Sequence, residues 1–376
     1  MVKIGKGINM EAVRNSNREA VLSYLNMYGA SSRKKIAEDL KLTTATLSII
    51  TNELINNNLV LEIGELEEGK VGRKKILIDL NEKARYSLGL EIQKRKIIFV
   101  ITDLKANIIF EKEWIITEKF ENVDFYKILD FIKEKILPIK KIVLGIGILV
   151  QGEIKENKAI SCLIPNIFEI VKDYLEIETF IENNMTGLVI SELYFKEKYN
   201  NFWVLKYGPG VGTSVVVNGK ILYGTDNKPV EFGHIPLIKT SNNIFCPICK
   251  KRGCLESEIH FDRIVEQFEK KGFYKKKDET DINFIERVSE KEEFKTVEKN
   301  INILAEYFSI ISWTIPVNQL VLTGEIFLNE KFLEYFIEQV LKNKANIKKE
   351  NITYMKNYAH KRKVAGCLLV LKKFFK

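Results

Sequence analysis

The apolar positions of residues 10–60 recur with the period of an α-helix in three successive segments. The first segment should end at Gly29, a suitable C-cap, and Ser32 can cap the second. A third helix begins at Thr43 or Thr44 and runs to about Asn57. The residues expected to face inward are Val13, Val21, Leu22 and Leu25, then Ile36, Ala37 and Leu40, then Leu47, Ile50, Leu54 and Ile55.

Two short apolar strands follow at residues 59–63 and 75–80, with a polar loop of glycines and basic residues between them. Three helices followed by a β-hairpin are the pattern of a winged helix-turn-helix. Such a domain lays the second helix of the helix-turn-helix, here the third of the segment, in the major groove of DNA. A small helical protein-interaction domain with a solvated basic loop is the alternative that the local pattern leaves open.

The residues expected to contact DNA are hydroxyl groups at the start of the third helix and basic side chains on the second helix and in the hairpin loop. Small hydroxyl side chains permit a close approach to bases and phosphates, and basic side chains neutralise phosphate charge. The candidates are Arg33, Thr43, Thr44, Thr46, Ser48, Lys70, Arg73 and Lys74.

From residue 86 onward strands alternate with helices, which predicts an α/β domain. Two sets of strands carry glycines at their ends, and this arrangement fits two similar α/β lobes facing a cleft. The strands are expected at residues 88–92, 97–103, 108–110, 141–148, 203–207, 214–217 and 319–323. Helices are expected at residues 125–136, over most of 257–313, and from 359 to the end.

Three of the five cysteines, Cys246, Cys249 and Cys254, lie within nine residues and follow His234 in the chain. Three thiolates and one imidazole form a tetrahedral zinc set typical of closed structural sites. The short spacing lets one loop supply three ligands, and Gly253 can relieve the turn before the third. We therefore predict a structural Zn²⁺ in the loop 234–256, with no open position for catalysis. Unligated cysteines in a reducing cell are the alternative.

The bulk composition adds only limits. A length of 376 residues predicts two or three domains. The net charge of +9 is compatible with nucleic-acid binding but weak support for it, because lysine is spread along the whole chain. We expect no membrane span and, because the N-terminus lacks a signal-peptide pattern, a cytoplasmic location. Cys162 and Cys367 stand in apolar surroundings that predict core packing.

The order of the motifs carries a family resemblance. A glycine-rich turn at residues 207–213 is a weak signal alone, because a tight hairpin also needs glycine. It lies, however, between Glu182-Asn183-Asn184 and the segment Glu231-Phe-Gly-His234 with its cysteine loop ending Gly-Cys-Leu-Glu256. Together with the predicted DNA-binding head, this order resembles the ROK family of repressors and sugar kinases over nearly the whole chain.

The resemblance implies an actin-like, ribonuclease-H-like fold of two lobes with a sugar between them. It implies a winged helix-turn-helix domain at residues 1–82 and a ROK domain at 83–376. By their place in the motifs, the residues implied to bind a sugar effector are Asn183, Asn184, Glu231, His234 and Glu256, with His234 also a zinc ligand. Asn166 is a further candidate, although a turn asparagine explains it equally well.

Several positions depart from the family's kinases. Asn184 stands where those enzymes carry the aspartate that deprotonates the sugar hydroxyl, and an amide cannot accept that proton at neutral pH. Residues 91–95, Glu-Ile-Gln-Lys-Arg, replace the Asp-x-Gly-Gly-Thr phosphate loop, and Glu325 follows Gly324 where a triphosphate should lie. We therefore assign no catalytic residues.

Other departures touch the pocket and the cysteine loop. The first two cysteines are separated by two residues, where the family usually has one, and Lys250 replaces a usual glycine. The segment Val150-Gln151-Gly152 replaces the family's Pro-Gly turn. The path of the cysteine loop and the floor of the pocket should therefore differ from those of the relatives.

These observations predict a transcriptional regulator, a repressor of sugar-uptake or sugar-catabolism genes, that is controlled by a sugar or a sugar phosphate. Since operators are usually near-palindromic, a homodimer or a dimer of dimers is expected on double-stranded DNA. An active ATP-dependent sugar kinase with a DNA-binding head is the alternative. A regulator controlled by a protein partner, without a small-molecule ligand, is a third hypothesis.

Overall fold

The computed structural model of the protein describes residues 9–66, 75–116, 120, 123–160, 162–195, 199–224, 229–237, 244–246, 249–277, 279–291 and 294–375. Within these ranges no helix is both long and apolar enough to cross a membrane. The chain divides into two units, the first made of Met1–Val150, Leu163–Glu182 and Lys363–Lys376 and the second of Gln151–Cys162 and Asn183–Arg362. The domain boundary at residue 82 stays a prediction.

The first unit begins with three helices and a small sheet: α1 (Met10–Tyr28), β1 (Ser31–Ser32), α2 (Arg33–Asp39), α3 (Thr44–Asn56), β2 (Val60–Leu66) and β3 (Lys75–Leu80). The sheet has the strand order β1-β3-β2. The predicted caps are confirmed. The Gly29 N–H bonds to the Leu25 carbonyl at 2.8 Å, and the hydroxyls of Ser32 and Thr43 accept bonds from backbone N–H groups in the first turns of α2 and α3.

The core of this head is mostly the predicted one. The residues confirmed as buried are Val21, Leu22, Leu25, Ile36, Ala37, Leu47, Ile50 and Leu54. Val13 was expected inside but is 37% exposed, because the first two turns of α1 precede the part of that helix that becomes buried. Leu40 and Ile55 are only half-buried, since each lies at the end of its helix.

The chain continues through β4 (Tyr86–Gln93), β5 (Lys96–Thr102), β6 (Ile108–Ile115), α4 (Phe125–Ile136), β7 (Val143–Val150), β8 (Glu153–Lys155), β9 (Lys158–Ile160), α5 (Ile167–Leu175) and β10 (Thr179–Asn183). Five of these strands form one sheet of order β10-β7-β4-β5-β6, and β8 pairs with β9. In the five-stranded sheet β4, β5 and β6 are antiparallel, and β7 is parallel to β4.

The second unit contains α6 (Asn184–Tyr194), β11 (Phe202–Tyr207), β12 (Val211–Val217), β13 (Lys220–Ile221), α7 (Leu255–Ile259), α8 (Phe261–Lys270), α9 (Asp281–Lys291), α10 (Lys295–Ser312), β14 (Leu320–Thr323), α11 (Glu330–Lys342), β15 (Ile352–Tyr354) and the start of α12 (Tyr358–Phe374). Its sheet has the order β13-β12-β11-β14-β15. Strands β11 to β13 are antiparallel, and β14 is parallel to β11. Because both sheets place antiparallel strands before parallel ones, the prediction of two similar lobes is confirmed.

The last helix, α12, belongs to the first unit from Lys363 onward. There Cys367 is fully buried and its Sγ lies 3.6 Å from the Val100 carbonyl of β5, as expected of core packing. Cys162 is only half-buried, so the same prediction is wrong for that residue. After the helix, the carbonyl of the buried Phe375 accepts a 2.7 Å bond from the Ser23 hydroxyl of α1. A hydrogen bond therefore links the C-terminal segment to the first helix of the head.

Candidate functional site

The predicted metal ligands come together in the second unit. In the Cys3His cluster (His234, Cys246, Cys249 and Cys254) the ligand atoms all lie within 4.8 Å of one another. Nδ1 of His234 is 3.6 Å from Sγ of Cys246, and the sulfurs of Cys249 and Cys254 are 3.3 Å apart. Donors at these separations converge on one point, as four tetrahedral ligands do around an ion with bonds of about 2.0–2.3 Å. The cluster can hold one metal ion, and its donor set suits zinc.

A tight loop turn sets the positions of the cysteines. The Cys246 N–H bonds to the Lys251 carbonyl at 2.7 Å, and the Lys250 N–H bonds back to the Cys246 carbonyl at 3.0 Å. Lys250 and Gly253 both adopt left-handed backbone conformations, with φ of 61° and 77°. The predicted role of Gly253 is confirmed. Lys250 adopts the same conformation, which is sterically strained for lysine and unstrained for glycine.

Glu231 lies beside the histidine. The His234 N–H bonds to the Glu231 carbonyl at 3.1 Å, and Nε2 of the ring lies 3.7 Å from Oε2 of the Glu231 side chain. The ring thus turns Nδ1 to the cysteines and Nε2 toward the Glu231 carboxylate, which lies just beyond hydrogen-bond distance. Any sugar contact by His234 must therefore use its Nε2 side.

Glu256 lies directly behind the glycine turn (residues 207–213). It is the second residue of α7, and its Oε1 accepts a 3.2 Å bond from the Val211 N–H. A Cβ at Gly210 would collide with this carboxylate, so any other residue there would displace the Glu256 side chain. Burial raises the pKa of Glu256, while the neighbouring His234 acts in the opposite direction. The turn and the cysteine loop therefore share one half-buried acid.

Of the two asparagines at the start of α6, Asn183 has a structural role. Asn183 caps the helix, since its Oδ1 accepts a 2.8 Å bond from the Met185 N–H, and its Nδ2 donates to the Gly152 carbonyl at 2.7 Å. This capping role was missed from the sequence, although asparagine before a helix is a common cap. Asn184 is the first residue of α6 and is half-buried. Their sugar contacts remain predictions.

Asn166 lies in the first unit, where it immediately precedes α5. It is exposed and has a left-handed backbone with φ of 55°. Asparagine tolerates this conformation in turns, so the geometry supports the turn explanation that the sequence left open. A role of Asn166 in effector binding stays a prediction.

The candidate DNA-contacting hydroxyls line the start of α3. Thr43 caps the helix and its hydroxyl lies 2.8 Å from that of Thr46, while the Ser48 hydroxyl donates to the Thr44 carbonyl at 2.8 Å. The side chain of Thr44 is exposed. Of these residues, Thr44 offers its side chain to solvent without a role in capping.

The basic residues predicted to contact DNA are Arg33, Lys70, Arg73 and Lys74, and only Arg33 lies within the described residues. Arg33 donates from Nε to the Thr51 hydroxyl at 3.0 Å and from Nη2 to Glu62 at 2.8 Å, so it ties α2 to α3 and β2. A phosphate contact by Arg33 would have to compete with this ion pair. Lys70, Arg73 and Lys74 lie outside the described residues.

The two phosphate-binding segments of kinases have other structures in this chain. Strands β4 and β5 pair up to Gln93 and Lys96, so Lys94 and Arg95 form a tight turn with no phosphate loop. In the second unit a Cβ at Gly208 would collide with the Glu325 carboxylate, which thus lies against the glycine turn. Both findings agree with the departures seen in the sequence.

Two similar lobes of this topology, with a Cys3His loop beside a glycine turn, define an actin-like α/β fold of the kind found in ROK proteins. Residues 87–373 match the ROK family model, and the chain belongs to the ROK family. The predicted fold class and family are confirmed.

Among curated proteins, the chain is 27% identical over 256 residues to the xylose repressor of Bacillus spizizenii, covering 65% of each chain. It is 22% identical over 261 residues to the DNA-binding transcriptional dual regulator NagC of Escherichia coli K12, covering 66% of this chain and 63% of that protein. The aligned region thus spans about 65% of the length of these relatives.

Among solved structures, a ROK family transcriptional regulator described as a homologue of the E. coli MLC protein covers 96% of this chain and 97% of its own, with a TM-score of 0.73 and 16% identity. The ROK hexokinase of Thermus thermophilus covers 77% of this chain and 99% of its own, with a TM-score of 0.61 and 16% identity. Residues 83–376 are too short a segment to contain the 96% of the chain that matches the regulator, although they can contain the 77% that matches the hexokinase. The similarity in fold to the regulator therefore includes part of the head.

Proposed function

We propose that the protein is a DNA-binding transcriptional regulator, a repressor of sugar-uptake or sugar-catabolism genes, controlled by a sugar or sugar-phosphate effector. Residues 1–82 form its winged helix-turn-helix domain and residues 83–376 its effector domain. It works in the cytoplasm, as a homodimer or dimer of dimers on double-stranded DNA. The main support for the proposal is the N-terminal head. There α3 begins with exposed hydroxyl side chains and follows the capped helix α2, as in helix-turn-helix domains.

The effector site lies around Asn183, Asn184, Glu231, His234 and Glu256. Carboxylates and amides suit sugar hydroxyls, because each hydroxyl needs a hydrogen-bond partner once it leaves water. A structural Zn²⁺ in the Cys3His cluster stiffens the loop that carries His234 and Glu256. It would take up no substrate, because protein ligands fill its four positions.

The residue at position 184 argues against the alternative of an active sugar kinase. Asn184 opens α6 with an amide, which cannot take the proton of a sugar hydroxyl. We therefore expect no phosphoryl transfer when sugars and ATP are supplied. Turnover above the background of a heat-denatured sample would support the kinase.

Selection of bound duplexes from a random-sequence library, followed by fluorescence anisotropy on the enriched DNA, tests DNA recognition. Thr44→Ala should weaken specific binding by about tenfold, because one lost base or phosphate contact costs on the order of 1–3 kcal/mol. Thr314→Ala is the matched control, since it makes the same change at an exposed threonine on the segment after α10.

The two variants separate a contact from a general loss of fold. Equal affinities of Thr44→Ala and Thr314→Ala would contradict the placement of α3 in the groove. Failure to enrich any duplex would contradict the regulator itself. Binding that changes on addition of xylose, N-acetylglucosamine or their phosphates would support control by a sugar.

A further inference from the structure

The glycine turn of the second unit has little capacity left for an anion. Phosphate-binding turns offer several backbone N–H groups at once. Here the Gly208 N–H bonds to the Gly210 carbonyl at 3.0 Å, and the Val211 N–H bonds to Glu256 at 3.2 Å. Pro209 has no N–H to offer. Among residues 208–211, only the N–H of Gly210 stays outside these bonds.

A carboxylate already lies against the turn. Glu325 follows β14, and a Cβ at Gly208 would collide with its Oε2. That oxygen is buried and accepts no hydrogen bond from the described part of the chain. Burial, and after it the charge of Glu325, raises the pKa of the Tyr354 hydroxyl to about 12, which places the acid beside the end of β15 as well.

Two cations accompany this carboxylate. Cε of Lys206 lies 3.5 Å from the same Cβ position at Gly208, and the Lys206 charge also acts on Glu256. Nη1 of Arg362 is 3.5 Å from Oε1 of Glu325 and 3.5 Å from the Tyr358 hydroxyl. Arg362 is thus paired with Glu325, and the Lys206 side chain lies beside the turn, where its charge acts on Glu256.

We propose that Glu325 is an internal anion that occupies the turn, with Lys206 and Arg362 as its counter-ions. The effector that reaches the adjoining Glu256 is consequently an uncharged sugar and not a sugar phosphate. A phosphate group at this turn would meet the carboxylates of Glu256 and Glu325, whereas sugar hydroxyls can donate to both. The second statement rests on the proposed sugar control; the first concerns the protein alone.

Removing the charge of Glu325 tests the first statement. Glu325→Gln keeps the size of the side chain and Glu325→Ala removes it, while Glu334→Ala removes an exposed charge on α11 as the matched control. Inorganic phosphate is titrated calorimetrically into each folded protein at constant ionic strength. The two Glu325 variants should bind it at least about tenfold more tightly than wild type, and Glu334→Ala should equal wild type.

Two results would overturn the internal anion: saturable phosphate binding by wild type as tight as that of the variants, or no gain in either Glu325 variant. A gain in Glu325→Gln alone still supports it, because the alanine variant can lose the local fold, and its thermal transition reports such a loss.

Thermal shifts with glucose, xylose and N-acetylglucosamine, and with the 6-phosphates of glucose and N-acetylglucosamine, test the second statement. Stabilisation by a free sugar and not by its phosphate supports an uncharged effector. Stabilisation only by a phosphate overturns that statement and leaves sugar control standing. If no compound stabilises the protein while Glu325→Gln gains phosphate binding, the sugar control fails and the internal anion stands.

Discussion

The buried ion pair between Lys361 and Glu192 permits a quantitative test of what holds the second unit together. Nζ of Lys361 lies 2.7 Å from Oε2 of Glu192, with side chains only 4% and 2% exposed. The pair joins α12 to α6, and the Ser191 hydroxyl adds a 2.8 Å bond to the Lys361 carbonyl. Lys361→Met removes the cation and leaves the carboxylate in a site that excludes water.

Breaking such a pair costs about 3–5 kcal/mol, whereas replacing both partners by apolar side chains of similar volume is often close to neutral. We therefore expect Lys361→Met to destabilise the second unit by about 3–5 kcal/mol, and Lys361→Met with Glu192→Leu to recover most of that loss. A whole domain is stable by only about 5–15 kcal/mol, so the single variant should show a much lower urea midpoint.

Tryptophan fluorescence during urea unfolding measures the effect. Trp203 and Trp313 lie in the second unit and Trp114 in the first, so a Trp114→Phe background makes the emission report the second unit. The coupling energy from the double-variant cycle is the deciding quantity. A single-variant loss below about 1 kcal/mol, or a coupling near zero, would refute the view that the pair is tightly desolvated.

Three further predictions follow from local geometry. Lys250→Gly should raise the thermal midpoint by relieving a left-handed lysine, a gain of up to about 1 kcal/mol, and a lower midpoint in scanning fluorimetry would contradict this. Burial raises the pKa of Cys367 to about 12, so iodoacetamide at pH 8 should leave this cysteine unmodified in the folded protein. The cysteines of the Cys3His cluster should react only after a chelator has removed the metal. Peptide mass spectrometry measures both modifications. Hydrogen bonds from Arg287 lower the pKa of Glu279 to about 2, so this pair adds stability above pH 4.5 that is lost as the pH falls through 2. The urea midpoint of Glu279→Gln should thus lie below that of wild type at pH 7 and meet it near pH 2, and a difference independent of pH would exclude this linkage.

The N-terminal head shows which features of the fold short-range sequence patterns can predict. Gly29, Ser32 and Thr43 cap their helices as the sequence predicts, because a cap is made by residues within one turn of each other. The apolar period likewise gives the correct start and end of α4. Val13 fails because its periodic position says which face it occupies, not how far along the helix the partner surface extends.

Helix α6 shows where such signals end. Every residue from Met185 to Glu192 is buried, so the helix has no polar face and no apolar stripe to reveal it. Its charged residue is satisfied by Lys361, far along the chain, and this pairing leaves no trace in the local pattern. The Cys3His cluster was predictable for the opposite reason, since one short loop supplies three of its ligands.

The glycine turn combines both situations. From the sequence, its glycines are compatible with a tight hairpin or with a group that approaches the backbone closely, and they do not show which group approaches. In this chain the neighbours are the carboxylates of Glu256 and Glu325, contributed by α7 and by the segment after β14. A turn filled in this way opposes a triphosphate whatever residue stands at position 184. If position 184 is that of the kinase base, as proposed, then its amide and the filled turn would be separate barriers to phosphoryl transfer, and restoring an aspartate there would leave the turn filled.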